Sequence, residues 1–192
     1  MRRLVYCIAS TIDGFIAGPD GADPSGADGF WPVPGDYVSH VIENYPEILP
    51  APARRAMGVT DLGTHFDTVV EGRNSYSLGL DAGIVDAFPH LRHLVFSRTL
   101  GANESVEVIP DDPVATVRSL KRESGKDIWL VGGATIAGAL YSEIDRLIVK
   151  LAPITIGAGI PLFAAGFEPA HWGLTDVHRI DSGALFLTYD RA

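Results

Sequence analysis

The chain has 192 residues, of which 46% are hydrophobic, and its formal net charge at pH 7 is -9. This length and hydrophobicity allow a full core, and a single domain over residues 1–192 is predicted. The acidic balance argues against a broad nucleic-acid surface, which needs clustered lysine and arginine. No run approaches the roughly 18 apolar residues of a membrane helix, and the N-terminal stretch has no small-residue cleavage site, so we expect a cytoplasmic protein.

The chain begins with a predicted buried strand over residues 4–9 (LVYCIA), in which the only cysteine, Cys7, is expected to be a buried thiol rather than a nucleophile. A loop rich in Gly, Pro, Asp and Ala extends from residue 18 to residue 35. Loops of this length inside compact domains are usually functional covers or disordered segments. Because Phe30 and Trp31 are costly to leave in water, they favour a loop that can close on something.

A helix is predicted after this loop, and Asp36 is placed to cap its N-terminus. Its apolar positions recur at helical spacing: Tyr37, Val38, Val41, Ile42 and Tyr45. Prolines at positions 46, 50 and 52 then predict an irregular segment.

Strand-like and helix-like segments alternate along the middle of the chain. The predicted strands cover residues 67–72, 93–97, 127–131 and 146–153. Predicted helices begin at Arg73 and at Asp112-Pro113, and a third carries a buried stripe of Ile136, Leu140 and Ile144. This alternation implies parallel strands joined by crossover helices.

The last part of the chain predicts an antiparallel hairpin, because strand-like segments 172–180 and 184–190 flank Asp181-Ser182-Gly183. The predicted fold class is therefore α/β, with three layers (α/β/α), a central mixed, mainly parallel sheet and a C-terminal antiparallel hairpin. Ligands of such sheets bind at the carboxyl ends of the parallel strands.

Three dipeptides follow predicted strands and should face that edge of the sheet: Gly72-Arg73, Ser97-Arg98 and Gly132-Gly133. Arginine forks match phosphate oxygens, and a glycine pair lets a ligand approach the backbone without meeting a Cβ atom. This arrangement suits a phosphorylated cofactor. The alternatives are that each arginine only solvates a helix start and that the glycines serve helix–strand packing.

Other chemical motifs are absent from the sequence. It contains no G-x-x-x-x-G-K-[ST] phosphate loop, no G-x-S-x-G nucleophile elbow and no G-x-G-x-x-G with an acidic residue about 20 positions on. His90 and His93 lie close in sequence without a nearby cysteine, so no metal site is predicted.

Four blocks of the sequence carry a family resemblance: ASTIDGFIAGPDG, DTVVEGRNSY, WLVGGATIAGAL and APITIGAGIPLF. Together with the terminal hairpin they resemble the dihydrofolate reductase superfamily, and within it the reductase domain of bifunctional riboflavin-biosynthesis proteins. The resemblance implies a dihydrofolate-reductase-like fold and a nicotinamide cofactor, NADPH, lying across the strand ends.

The resemblance also implies which residues hold the cofactor. Gly72 and Arg73 match a pair that faces its phosphates, and Ser97 and Arg98 match the strand end beside the adenosine 2'-phosphate. The segment that cradles the pyrophosphate matches Gly132, Gly133, Ala134, Thr135 and Ile136, and Ala17 matches a backbone position near the nicotinamide.

Two positions depart from the family pattern. Ala134 stands where a third glycine is frequent, and Glu71 stands where an apolar residue is common. A carboxylate at Glu71 would repel phosphate unless its side chain points away.

On the substrate side, Trp31, Pro34 and Asp36 keep the spacing of a tryptophan, a proline and an acid that open the helix after the mobile loop of dihydrofolate reductases. This implies that Asp36 is a catalytic residue that orients a pteridine-like ring or helps to protonate it, the alternative being a plain helix cap. Asp13-Gly14 matches a family hallmark, and Asp13 is expected to fix a backbone turn.

The sequence therefore predicts an NADPH-dependent reductase that transfers a hydride to a heterocyclic molecule such as a pteridine or an aminopyrimidine. The alternative is a non-catalytic dimeric protein that keeps the fold and binds a nucleotide or another small molecule. A homodimer built through the terminal hairpin is implied by the resemblance alone.

Overall fold

An eight-stranded mixed sheet lies at the centre of the computed structural model, which describes residues 1–26 and 29–192. The strands are β1 (Leu4–Ser10), β2 (Phe15–Ala17), β3 (Phe66–Gly72), β4 (Arg92–Phe96), β5 (Glu107–Ile109), β6 (Asp127–Gly132), β7 (Arg146–Leu151), β8 (Ile160–Pro161), β9 (Trp172–Arg179) and β10 (Leu185–Arg191). The helices are α1 (Gly35–Asn44), α2 (Ala51–Met57), α3 (Arg73–Asp81), α4 (Pro113–Arg122) and α5 (Ala134–Ala139). The predicted loop over residues 18–35 includes positions 27 and 28, which lie outside the described residues.

The strand order in the sheet is β5-β4-β3-β6-β1-β7-β10-β9. The first six of these strands are parallel, whereas β10 runs antiparallel to both β7 and β9. Strands β2 and β8 form a separate antiparallel pair. The predicted mixed, mainly parallel sheet and its C-terminal hairpin are thus confirmed.

Alternate residues of the central strands pack on opposite faces of the sheet. Leu4 and Tyr6 of β1 belong to a core that includes residues of α4 and α5, whereas Val5 and Cys7 belong to a core that includes Val41 of α1. The period of two in side-chain direction produces this division. Helices cover both faces, which gives the predicted three layers and buries Cys7 as expected.

The segment after α1 is more regular than the prolines predicted. Residues Pro46–Ile48 form a 3-10 turn, and α2 follows with Pro50 as its N-cap and Pro52 in its first turn. Proline is tolerated there because the first amides of a helix have no partner within the helix. Buried Arg54 holds the segment by donating to the carbonyls of Pro46 and Asp61, each at 2.6 Å.

The helix predicted around residues 136–144 is shorter than expected. Helix α5 ends at Ala139, and a separate 3-10 turn covers Tyr141–Glu143. The expected stripe is nevertheless correct, since Ile136, Leu140 and Ile144 share one core cluster. At α4 the predicted start is confirmed, because the Asp112 carboxylate accepts a hydrogen bond from the Ala115 amide at 2.8 Å.

In the part of the chain that the structure describes, no helix is both long enough and apolar enough to cross a lipid bilayer.

Candidate functional site

The three predicted dipeptides lie beside one another at one edge of the sheet. Strands β4, β3 and β6 are consecutive and parallel, and Gly72 is paired with Phe96 while Glu71 is paired with Gly132. The carboxyl ends of these strands therefore bring Ser97-Arg98, Gly72-Arg73 and Gly132-Gly133 to one edge. We call this edge, from Arg98 to Gly133, the cofactor edge.

Gly133 leaves its backbone open to approach. A Cβ atom built on it would meet no atom of the described residues within 4 Å. Gly133 is also the N-cap of α5, and no side chain caps that helix, so its first amides lack a side-chain acceptor. Gly132 adopts a φ of 129°, which glycine tolerates and other residues rarely do, and the peptide bond between the two glycines is cis.

Ala134 does not obstruct this opening. The residue is buried, and its carbonyl accepts a hydrogen bond from the Ala164 amide at 3.0 Å. Because its methyl group is already buried by the protein, the substitution of a third glycine by alanine is compatible with an open Gly133. Thr135, the next residue, is exposed.

Gly72 has a packing explanation. A Cβ atom there would lie 3.2 Å from Cγ2 of Ile136, which is tighter than ordinary contact. The glycine thus allows the end of β3 to pack closely against α5. Gly72 and Ile136 support the cofactor edge from behind, and neither position in itself requires a ligand.

Arg73 and Arg98 are the cations of the cofactor edge. The Arg73 guanidinium donates to the Ser77 hydroxyl at 2.6 Å, which anchors it along α3, and Arg98 is exposed. Among residues 1–26 and 29–192, neither arginine forms an ion pair. A guanidinium has five N–H donors, so both retain donors that suit phosphate oxygens.

Ser97 serves the local backbone. Its hydroxyl oxygen accepts hydrogen bonds from the amides of Thr99 at 3.2 Å and Leu100 at 2.9 Å. The side chain is buried and fixes the turn after β4, which holds Arg98 at the strand end.

The Glu71 carboxylate points away from the cofactor edge. It is buried and lies 2.8 Å from Nε2 of His93, while Asp86 lies 2.8 Å from Nδ1 of the same ring. Burial alone would lower the pKa of His93, but hydrogen bonds to the two carboxylates raise it above its ordinary value. His93 thus balances the charge of Glu71 in the protein interior. The repulsion between Glu71 and a cofactor phosphate, considered from the sequence, does not arise. The described residues include no group of three metal ligands at His90, His93 or elsewhere.

Ala17 is the last residue of β2, outside the eight-stranded sheet whose strand ends carry the arginines. It is buried, and β2 pairs with β8 so that Ala17 is opposite Ile160. A Cβ atom on Gly159 would lie only 2.3 Å from the Ala17 carbonyl oxygen, so the segment around Gly159 packs closely against that oxygen. Asp13 fixes a turn as expected, although the turn belongs to another loop: its carboxylate accepts from the amides of Ile156 at 3.0 Å and Gly157 at 2.7 Å.

The expected capping by Asp36 is wrong. Helix α1 begins two residues earlier than this cap requires, at Gly35, with Pro34 as its N-cap and without a side-chain cap. The Asp36 carboxylate instead accepts from the amides of Tyr37 at 2.8 Å and Ser182 at 2.7 Å. Partial desolvation raises the pKa of Asp36, but hydrogen bonds from Ser182 and from the Tyr37 amide outweigh it and lower the pKa below its ordinary value. The group is therefore ionised at neutral pH.

A cavity of about 40 Å³ lies beside Asp36. It is lined by Trp31, Pro32, Pro34, Tyr37, Lys150, Ala152, Pro153, Ser182 and Ala184. We call it the Lys150 cavity. Lys150 is not among the residues predicted from the sequence. The signal that could have identified it is a lone lysine within the apolar run LIVKLA.

A larger open depression of about 650 Å³ follows the edge strand β5. Its lining includes Asp86, Asn103 and Glu107 but none of the residues predicted to bind a cofactor. Its Ile109 carbonyl accepts a hydrogen bond from the Ser97 amide, but no residue of the cofactor edge lines it, and we assign it no role.

Two uncharacterized proteins of Bacillus subtilis are similar in sequence to this chain. The uncharacterized protein YyaP of Bacillus subtilis (strain 168) is 27% identical over 202 residues, covering 98% of this chain and 94% of YyaP. The uncharacterized protein YwjB of the same organism is 28% identical over 166 residues, covering 84% of this chain and 83% of YwjB.

Two solved structures share the fold. The crystal structure of a protein assigned to riboflavin biosynthesis, from Shewanella sp. PV-4, aligns with a TM-score of 0.69 at 20% identity, covering 100% of this chain and 99% of that chain. Dihydrofolate reductase from Enterococcus faecalis, complexed with NADP(H) and RAB-propyl, aligns with a TM-score of 0.65 at 17% identity, covering 98% of this chain and 96% of that chain. The predicted dihydrofolate-reductase-like fold is confirmed.

The family model described as the RibD C-terminal domain matches residues 2–186. The match includes both the cofactor edge and the Lys150 cavity. The chain therefore belongs to the RibD C-terminal domain family.

Proposed function

We propose that this protein is an NADPH-dependent reductase that transfers a hydride to a heterocyclic small molecule of the pteridine or aminopyrimidine kind. The observation that carries the proposal is the cofactor edge, where Arg98, Arg73 and the open backbone at Gly133 follow one another at the ends of three adjacent strands. Membership of the RibD C-terminal domain family and the fold shared with an NADP(H)-complexed dihydrofolate reductase support it.

The residues of the cofactor edge fit a phosphorylated nicotinamide nucleotide. The pyrophosphate would lie over Gly133 and the uncapped amides of Ala134 and Thr135, where no side chain stands in the way. Arg73 and Arg98 would hold the adenosine 2'-phosphate and so select NADPH over NADH. The nicotinamide ring would lie toward Ala17 and supply the hydride when the cofactor is bound.

The substrate would lie at the carboxyl ends of β1 and β7, between the cofactor edge and the start of α1. Asp36 would lie beside this region, because its partners Tyr37 and Ser182 line the Lys150 cavity, and as an ionised group it would orient a ring that carries N–H donors. Trp31 is buried over the Lys150 cavity and would exclude water from the site.

A second candidate function is a binding protein without turnover. The observation that favours it is the lowered pKa of Asp36, because an ionised carboxylate held by two backbone amides is a poor proton donor. Reduction of a C=N bond needs a proton as well as a hydride.

The first test is a titration of the purified protein with NADPH and, separately, with NADH. Quenching of the three tryptophans reports binding, and calorimetry checks it. Micromolar affinity for NADPH with clearly weaker NADH supports the proposal. Absence of binding by either nucleotide contradicts it.

The second test separates the two candidates. NADPH oxidation is followed with dihydrofolate, pyrimidine ribityl precursors and quinones as acceptors. Oxidation with any of them supports the reductase, whereas tight NADPH binding with no oxidation favours the binding protein.

A further inference from the structure

Lys150 occupies the carboxyl end of β7, next to the proposed substrate region. It is paired with Ala9 of β1 on one side and with Phe186 of β10 on the other, so two neighbouring strands hold its backbone. Its side chain reaches the Lys150 cavity, whose other walls include Trp31, Tyr37 of α1 and Ser182 of the hairpin turn.

The ammonium group of Lys150 has no counter-ion among residues 1–26 and 29–192. The other two lysines are satisfied: Lys121 forms an ion pair with Asp145 at 2.7 Å, and Lys126 donates to the Gly63 carbonyl at 2.7 Å. Lys150 hydrogen-bonds to the Tyr37 phenol, a neutral group that leaves the positive charge unbalanced. A half-buried charge without a counter-ion is costly, so Lys150 is a candidate for binding an anion.

The groups that face Lys150 keep it charged. Burial lowers the pKa of Lys150, but the Tyr37 phenol and the Cys7 thiol outweigh that effect and raise it above its ordinary value. Burial in turn raises the pKa of Cys7 to about 11, so the thiol is neutral at pH 7 and does not balance the charge. The nearby Asp36 carboxylate accepts from the Ser182 and Tyr37 amides and forms no ion pair with Lys150.

The size of the Lys150 cavity limits what can enter it. A volume of about 40 Å³ is close to that of a single water molecule in the liquid, roughly 30 Å³. The cavity can hold one small polar substituent, whereas a whole ring would have to lie outside it. The walls other than Lys150 are mostly apolar, so the ammonium group determines which charge the cavity favours in a substituent, namely a negative one.

We propose that Lys150 is a substrate-binding residue, and that the heterocycle bound in this cleft presents an anionic oxygen, from a carboxylate or an ionised ring oxygen, to its ammonium group. This deepens the proposed reductase function and rests on it, because the bound heterocycle is a substrate only if the protein is a reductase. The Lys150 cavity thus has one cation in an otherwise mostly apolar wall, so it orients a ring by its anionic oxygen. A diaminopyrimidine, which has no oxygen and no negative charge, would leave the Lys150 charge unbalanced.

The test uses three pyrimidines that share one ring and differ in charge. Orotate carries a carboxylate, barbiturate carries an ionised ring oxygen, and uracil is neutral at pH 7. Each is titrated by calorimetry into the full chain without nucleotide and, as a separate arm, into the chain with NADPH. 2,4-Diaminopyrimidine, which has no oxygen, serves as a second probe without an anionic group.

The expected result is that orotate or barbiturate binds and that uracil and 2,4-diaminopyrimidine bind at least about tenfold more weakly, as expected for the loss of one charge-assisted hydrogen bond. Lys150→Met should remove that difference, and Lys150→Arg should restore part of it. Lys126→Met, which removes a lysine outside the cleft, should leave all four affinities unchanged. Whichever anion binds more tightly identifies the oxygen that the cavity accepts.

Equal affinity for all four compounds, anion binding that survives Lys150→Met, or no binding of either anion would each overturn the proposal. Circular dichroism melting shows whether Lys150→Met is folded, and if it is not, the neutral Lys150→Gln takes its place. The two proposals fail separately. Lys150-dependent anion binding without NADPH binding would contradict only the reductase, and NADPH binding with no preference for anions would contradict only the role of Lys150.

Discussion

Asp36 Oδ2 accepts a hydrogen bond from the Ser182 amide at 2.7 Å and so joins the first turn of α1 to the hairpin turn between β9 and β10. The two residues are 146 positions apart in the chain. This bond fixes one wall of the Lys150 cavity, because Ser182 and Tyr37, the residue after Asp36, both line it.

Replacing Asp36 by asparagine should lower the free energy of unfolding at pH 7, because a neutral amide accepts more weakly than a carboxylate. The pKa of Asp36 is lowered in the folded protein. Its contribution is therefore fully present above the unfolded pKa, about 3.9, and is lost as the pH falls through the folded pKa. Urea unfolding of both proteins at a series of pH values should show their curves converging in acid. A difference that stays constant down to the lowest pH would contradict this account.

Replacing Arg73 by alanine should reduce the preference for NADPH over NADH by about tenfold or more, since a charge-assisted contact contributes about 1.5 to 3 kcal/mol. Separate titrations of the variant with each nucleotide measure this. Arg55→Ala is the matched control, because Arg55 is exposed in the last turn of α2 and outside the cofactor edge. If the Arg73 variant keeps its full preference, Arg73 does not contact the 2'-phosphate.

Two glycine variants should separate ligand approach from packing. Gly133→Ala adds a methyl group where nothing lies within 4 Å, at a φ of -85° that alanine adopts, so the fold should be stable and NADPH affinity should fall. Gly72→Ala places its methyl group 3.2 Å from Ile136, so it should lower the free energy of unfolding by about 1 to 3 kcal/mol. Urea unfolding and NADPH titration of both variants measure these effects. Unchanged NADPH binding by Gly133→Ala would remove the pyrophosphate from this position.

The buried His93 should make stability depend on pH in the neutral range. Its pKa is raised in the folded protein by Glu71 and Asp86, against the effect of burial. The stabilisation is therefore fully present below the unfolded pKa, about 6.5, and is lost as the pH rises through the folded pKa. His93→Gln should be less stable at low pH and should lose this dependence, as measured by urea midpoints from pH 5 to 9. A wild-type midpoint that does not fall as the pH rises over this range would show that His93 does not carry this stabilisation.

We propose that the chain forms a homodimer through the terminal hairpin. Strand β9 is an edge strand, and its Leu174 and Val177 are exposed by 54% and 52%, respectively. Light scattering should give twice the chain mass for the wild type and the monomer mass for Leu174→Glu. A wild-type monomer at working concentration would contradict the proposal.

The sequence predicted the layout of the strand ends well because local patterns determine it. Apolar runs ending in Gly72, Ser97 and Gly132 define three buried parallel strands, and the crossover rule brings their ends together. What each side chain does at those ends depends on distant partners. Gly72 packs closely against Ile136, 64 positions away, and no local pattern contains that contact.

The same dependence on distant partners explains why the predicted cap at Asp36 is wrong and why Lys150 was not predicted. Asp36 has the residue type and position of a helix cap, but its partner Ser182 lies in the last hairpin, and that long-range contact overrides the local preference. Lys150 stands in a strand whose apolar neighbours predict burial, and only the packing of Trp31 and Tyr37 around it reveals a cavity. The irregular segment predicted from the prolines near α2 is wrong for a different reason. Proline breaks a helix only beyond its first turn, and these prolines lie at the start of α2.

Trp31 has a consequence for the order in which ligands arrive. It covers the end of the cleft at β7, whereas the backbone at Gly133 is already open. We expect a nucleotide to enter and leave without displacing the tryptophan, while a molecule that reaches Lys150 must displace it. Association of nucleotide should then be fast and association of the second ligand slow, with the displacement of Trp31 setting the slower rate.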